Sequence, residues 1–75
     1  MRERYPMPED VNKALKARGA RALYDARPPY QRNDYIGWIN RAKRAETRQK
    51  RILQMLDELE AGDVYMKMAW RPRRR

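Results

Sequence analysis

The sequence predicts an all-α fold: a small helical bundle of three longer helices and one short one, with an extended C-terminal arm and a disordered basic tail. Two observations lead there. Apolar side chains recur at three- and four-residue spacing in separate stretches, as helices with one buried face require. Proline and glycine punctuate those stretches at Pro8, Gly19, Pro28, Pro29 and Gly62, where helix starts and stops favour them. The chain then divides into a flexible leader (1–7), the bundle domain (8–62), an arm packing on the bundle or on a partner (63–70) and a basic tail (71–75).

The first helix starts at Pro8-Glu9-Asp10, a proline followed by two acids that suit the positive end of the helix dipole. Val11, Ala14, Leu15 and Arg18 share one face, and Gly19 supplies a left-handed stop. A shorter helical piece covers Ala20 to Asp25, with Leu23 and Tyr24 expected inward. Pro28-Pro29 ends it, because a residue before proline avoids helical angles. The next helix is expected from Pro29 to Lys43, with Tyr35, Ile36, Trp38, Ile39 and Ala42 as its apolar stripe. Gly37 lies inside it and costs roughly 1 kcal/mol against alanine, which a close helix–helix contact would explain. The last helix is expected from Ala45 to Ala61, with Arg48, Ile52, Met55, Leu56 and Leu59 along one side and Gly62 as its stop. The short connection makes these two helices antiparallel neighbours. Trp38, Ile39, Ile52, Leu56 and Leu59 are expected at the centre of the bundle. Beyond Gly62, Val64, Met66, Met68 and Trp70 alternate with Tyr65, Lys67 and Ala69, a strand-like period for which no second strand offers itself. An arm lying along the bundle is the expectation.

Seventy-five residues allow one small domain with a thin core. Large aliphatics are few and phenylalanine is absent, so tyrosine, tryptophan and methionine must fill much of the interior. The chain has no cysteine, histidine or serine, which removes disulfides, thiolate and imidazole metal sites and the usual nucleophile–base triads. No catalytic residue, metal ligand or cofactor site is therefore expected. Neither a membrane span nor a signal peptide is visible, and a cytoplasmic, monomeric protein is the simple reading. The formal charge of +9 points to anionic partners.

Charge is concentrated oddly. Residues 41–51 hold six cations, Arg41, Lys43, Arg44, Arg48, Lys50 and Arg51, against Glu46 alone. Asp57, Glu58, Glu60 and Asp63 follow at the far end of the same helix. That order opposes the helix dipole, and a broken local rule often marks a functional site. Arg41, Lys43, Arg44, Arg48 and Arg51 thus form a candidate anion- or partner-binding cluster at a helix start. The competing reading is structural: Arg48 and Arg51 bridge to acids such as Asp34 and lock the helices together. The four acids lack the ligand spacing of a calcium loop.

The strings Pro8-Glu9-Asp10-Val11, Ala14-Leu15-Lys16-Ala17, Pro28-Pro29-Tyr30, Tyr35-Ile36-x-Trp38-Ile39, Ala42-Lys43-Arg44-x-Glu46-Thr47-Arg48-x-x-Arg51-Ile52 and Leu59-x-x-Gly62 resemble the bacteriocin-protection, YdeI/OmpD-associated family over roughly residues 8–62. The resemblance implies a bacterial, small all-helical domain, linked by family name to bacteriocin or cationic-peptide resistance and to an outer-membrane porin. Members usually carry proline where Ala45 stands here. The expectation that follows is a non-enzymatic interaction module. It docks on a protein partner through the basic cluster and an apolar edge of the arm, Val64, Met66, Met68 and Trp70. The alternative is a basic nucleic-acid binder. A membrane-surface role is the weakest of the three, because no helix sets a basic face against a bulky apolar one.

Overall fold

The computed structural model describes residues 4–70. Its elements are α1 (Glu9–Ala17), α2 (Arg21–Asp25), α3 (Pro29–Asn40), α4 (Ala45–Ala61), β1 (Val64–Tyr65) and β2 (Met68–Ala69). The fold is thus mostly helical, with a small two-stranded sheet at the C-terminal end. The basic tail at 71–75 lies outside the described residues.

Local chemistry accounts for the helix ends. After α1, Gly19 takes φ +64°, and the Ala20 N–H donates to the Leu15 carbonyl at 2.8 Å while the Gly19 N–H donates to the Lys16 carbonyl at 3.1 Å. These paired bonds satisfy the terminal carbonyls, and the buried Ala20 and Leu15 supply the apolar contact that goes with them. Pro29 opens α3 at its first position. Gly62 closes α4 at φ +84°, its N–H donating to the Glu58 carbonyl at 3.0 Å.

The core gathers Val11 and Leu15 from α1, Ala20 and Tyr24 around α2, Tyr35, Ile36 and Ile39 from α3, and Ile52, Met55, Leu56 and Leu59 from α4. The α4 set has the three- and four-residue spacing of one helix face. Burial of each large side chain contributes on the order of 1.5–3 kcal/mol. Helix directions follow from cross-links. Arg48 reaches Asn40, Arg51 reaches the Trp38 carbonyl and Glu58 meets Tyr35, so rising numbers on α4 meet falling numbers on α3 and the pair is antiparallel. Asp10 meets Arg48 while Arg18 meets Asp57 and Glu60, so α1 runs parallel to α4.

Several expectations are corrected. The segment after Gly62 is not an extended arm but an antiparallel hairpin, with Val64 opposite Ala69 and Tyr65 opposite Met68. Its turn puts Met66 at φ 51° and Lys67 at φ 63°. Two successive left-handed residues make the tight turn that matches strand twist, ordinarily built from asparagine and glycine. α3 stops at Asn40 rather than continuing to Lys43. Leu23 points outward, 44% exposed, while its neighbour Tyr24 is buried. Trp38 is half-buried rather than central. Gly37 does not serve a helix–helix contact either: a Cβ there would lie 2.7 Å from the Tyr5 ring. Tyr5 belongs to the expected leader, has no regular secondary structure, and packs against the core with its N–H on Asn33 Oδ1 at 2.9 Å.

The Tyr5–Gly37 contact generates a test. With Tyr5 removed, Gly37→Ala keeps only its helix-propensity effect and should stabilise the fold by roughly 0.5–1 kcal/mol. With Tyr5 present that gain should vanish or reverse, because the ring must leave its seat. Denaturant titration of the two single variants and the double variant measures this coupling. Additive changes would contradict the contact.

Candidate functional site

Glu58 is a carboxylate at the core edge of α4, only 5% exposed. Each of its oxygens accepts two bonds. Oε1 takes the Tyr35 hydroxyl and the Met66 N–H, the latter at 2.8 Å. Oε2 takes the Lys67 N–H at 2.8 Å and Gln54 Nε2 at 3.0 Å. A carboxylate offers about four acceptor sites, so this one is fully engaged. The two N–H donors belong to the left-handed turn residues, and successive N–H groups in such a turn form a concavity suited to an anion. Burial, with the Glu58 carboxylate as second cause, pushes the Tyr35 hydroxyl pKa upward, so that phenol stays a proton donor.

A second layer secures the same region. Arg27, 5% exposed, donates to the Glu58 carbonyl at 2.8 Å and to Gln31 Oε1 at 3.1 Å. The Trp70 ring lies against the Arg27 guanidinium, 4.6 Å from carbon to centroid, and the Trp70 N–H donates to the Asp63 carbonyl at 2.9 Å. Tyr65 stands edge-on to both Tyr35 and Tyr30, with centroids 5.5 and 6.0 Å apart, and its hydroxyl donates to Asp34 at 2.7 Å. The hairpin is fastened to the bundle by its turn, its inner tyrosine and its closing tryptophan.

Between the hairpin and α3 lies a cleft of about 480 Å³, lined by Tyr5, Asn33, Asp34, Gly37, Trp38, Arg41, Tyr65, Met66 and Met68. The structure brings Arg41, Met66 and Met68 together here from the residues singled out in the sequence. Met68 is 59% exposed and Arg41 is exposed, while Tyr65 and Met66 face the core. Val64 and Trp70 do not line the cleft; Trp70 sits on Arg27 instead. Tyr5 and Tyr65 were not expected here. Gly37 was the one signal for Tyr5, a gap in a helix that a ring from elsewhere fills.

The basic cluster divides. Arg48 donates Nε and Nη2 to the two Asp10 oxygens at 2.7 and 3.0 Å, and Nη1 to Asn40 at 3.1 Å. Arg51 donates to the Trp38 carbonyl at 2.6 Å and lies over the Trp38 ring at 5.2 Å. Both arginines serve the fold, and neither is bonded to Asp34 as the structural reading had it. Arg41, Lys43 and Arg44 remain exposed, Arg41 at the cleft and Arg44 3.8 Å from Glu46. The four acids also separate: Asp57 and Glu60 both accept from Arg18, Glu58 turns inward, and Asp63 lends its carbonyl to Trp70. The reversed charge order of α4 is thereby explained. α1 carries the dipole-favoured order, Asp10 first and Arg18 last, and a parallel neighbour must carry the opposite one to pair with it. None of the helices is long and apolar enough to cross a membrane among the described residues.

Residues 4–62 match the family described as Bacteriocin-protection, YdeI or OmpD-Associated, and the chain belongs to that family. No curated protein and no solved structure matches it. The family match ends at Gly62, just before the hairpin, yet includes Glu58, which holds that hairpin.

Arg48 beside Asp10 holds the Asp10 carboxyl below the usual carboxylate range, chiefly through its hydrogen bonds. A lowered carboxyl pKa adds stability that is complete above the unfolded value, about 3.9, and is lost as pH falls through the folded value. Asp10→Asn should therefore be less stable than the native chain by roughly 0.2–1 kcal/mol near neutrality, as for a largely exposed pair. That gap should close as the pH falls below about 4. Urea titrations across pH 2–7 check this, and a gap that widens in acid would contradict the pairing.

Proposed function

We propose that this family member is a non-enzymatic interaction module that docks a protein partner in the cleft between α3 and the hairpin. The observation that carries the reading is the composition of that cleft. Met66, Met68, Trp38 and Tyr5 form an apolar seat, Arg41 lines it, and Lys43 and Arg44 follow Arg41 in the chain as exposed cations. Methionine-rich surfaces adapt to a partner's shape, and a charged rim around an apolar centre is the usual anatomy of an interface. The complementary partner is a segment presenting an apolar side chain flanked by acidic residues. The lack of histidine, cysteine and serine supports a non-enzymatic role, as does the full engagement of the Glu58 carboxylate, the most enclosed acid. The family's link to bacteriocin or cationic-peptide resistance fits a protein that acts through contacts with other proteins rather than through chemistry.

Two exposed positions test this without disturbing the core. Met68→Asp and Arg41→Glu should each change stability by no more than about 0.5 kcal/mol. In capture from bacterial lysate, the native chain should retain a protein partner after RNase and DNase treatment, and both variants should lose it. Capture that disappears with nuclease, or collapses between low and physiological salt, would assign the basic surface to nucleic acid instead.

A further inference from the structure

A second cavity, of about 290 Å³, is lined by Arg4, Tyr5, Tyr24, Pro29, Arg32 and Asn33. It shares Tyr5 and Asn33 with the docking cleft but differs in charge, for among the described residues its wall holds two arginines and no acid. Arg32 is the feature without explanation. Arg27, Arg48 and Arg51, the other buried or part-buried arginines among the described residues, each donate to an acceptor within 3.1 Å. Arg32 Nε is buried with no acceptor. A buried, charged donor left unmatched loses its hydration without return.

Its position compounds the cost. Arg32 stands one turn inside the N-terminal end of α3, where the helix dipole disfavours a cation. The inverted charges of α4 are met by α1, but no acid occupies the first turn of α3, and its cap residue, Pro28, makes no side-chain capping bond. Tyr24, whose hydroxyl donates to the Arg32 carbonyl at 3.5 Å, forms part of the same wall. Arg4 and Arg32 bring two guanidinium groups to one concave wall.

We infer that this cavity binds a terminal phosphate group, inorganic phosphate or a phosphate monoester, between Arg4 and Arg32. A dianion matches the two guanidinium charges, and arginine's planar fork suits phosphate oxygens. A phosphodiester carries only one charge and two blocked oxygens, so it fits the site less well. Although Tyr5 and Asn33 line both cavities, the site does not depend on the function proposed for the cleft.

Side-chain guanidinium resonances of Arg32 give a direct readout on the full chain. Titration with sodium phosphate at constant ionic strength should shift the Arg32 Nε–H signal and the Tyr30–Asn33 amides along one saturating curve. Glycerol phosphate should reproduce the curve, sodium chloride should not, and dimethyl phosphate should bind several-fold more weakly. Arg32→Gln and Arg4→Gln should each weaken phosphate by about tenfold, the worth of one charge-assisted bond. Arg41→Gln, in the other cleft, should leave it unchanged. Arg4 is exposed, so its variant reports even if Arg32→Gln impairs folding. A non-saturating response, an equal response to chloride, equal binding of dimethyl phosphate, or full affinity in Arg4→Gln would overturn the site.

Discussion

The structure turns on the carboxylate of Glu58. A charge taken out of water is destabilising unless its bonding capacity is filled, and here α3, α4 and the hairpin turn fill it together through Tyr35, Gln54, Met66 and Lys67. The dependence runs both ways. Two successive non-glycine residues at positive φ cost on the order of 1–3 kcal/mol each, and a two-stranded hairpin is marginal alone in water. The turn persists because a buried anion demands its N–H groups. The hairpin in turn carries Tyr65, Met66 and Met68 to the cleft, so the cleft keeps its shape only while Glu58 is satisfied.

The ion pairs between α1 and α4 play a different part. Largely exposed pairs contribute little stability each, but they are geometrically selective. Asp10 with Arg48 and Arg18 with Asp57 and Glu60 permit α1 to lie along α4 in one direction only, since the antiparallel placement would oppose like charges. Charges that break the dipole rule on one helix are therefore the matching half of a rule kept on another. Arg32 lies outside that arrangement, and the contrast makes its unmatched Nε informative.

Much of the fold was legible in the sequence. The limits of α4, its buried face and the Gly62 stop follow from periodicity and one glycine. The start of α3 follows from two prolines. The failures have definite causes. α2 spans little more than one turn, so its pattern could not decide between Leu23 and Tyr24. The hairpin was missed because the chemistry of its turn does not reside in Met66-Lys67 but in Glu58, eight residues upstream of Met66. Arg48 bridges to an acid as the structural reading held, but to Asp10 and not to the suggested Asp34, because pairing across helices depends on their relative direction, which no local pattern records. Of the site, Arg41, Met66 and Met68 were visible as an exposed base and an apolar edge. Tyr5 and Tyr65 were not, since each acts through a distant contact, on Gly37 and on Asp34.

Amide hydrogen exchange at Met66 and Lys67 tests the role of Glu58 most directly. Both amides belong to turn residues near the C-terminal end, where exchange is ordinarily fast. If Glu58 holds the turn, they should be protected to nearly the same degree as the α4 amides of Leu56 and Leu59, and Glu58→Gln should abolish that protection while the helices stay folded. Exchange of Met66 and Lys67 at unfolded-chain rates in the native protein would contradict the account.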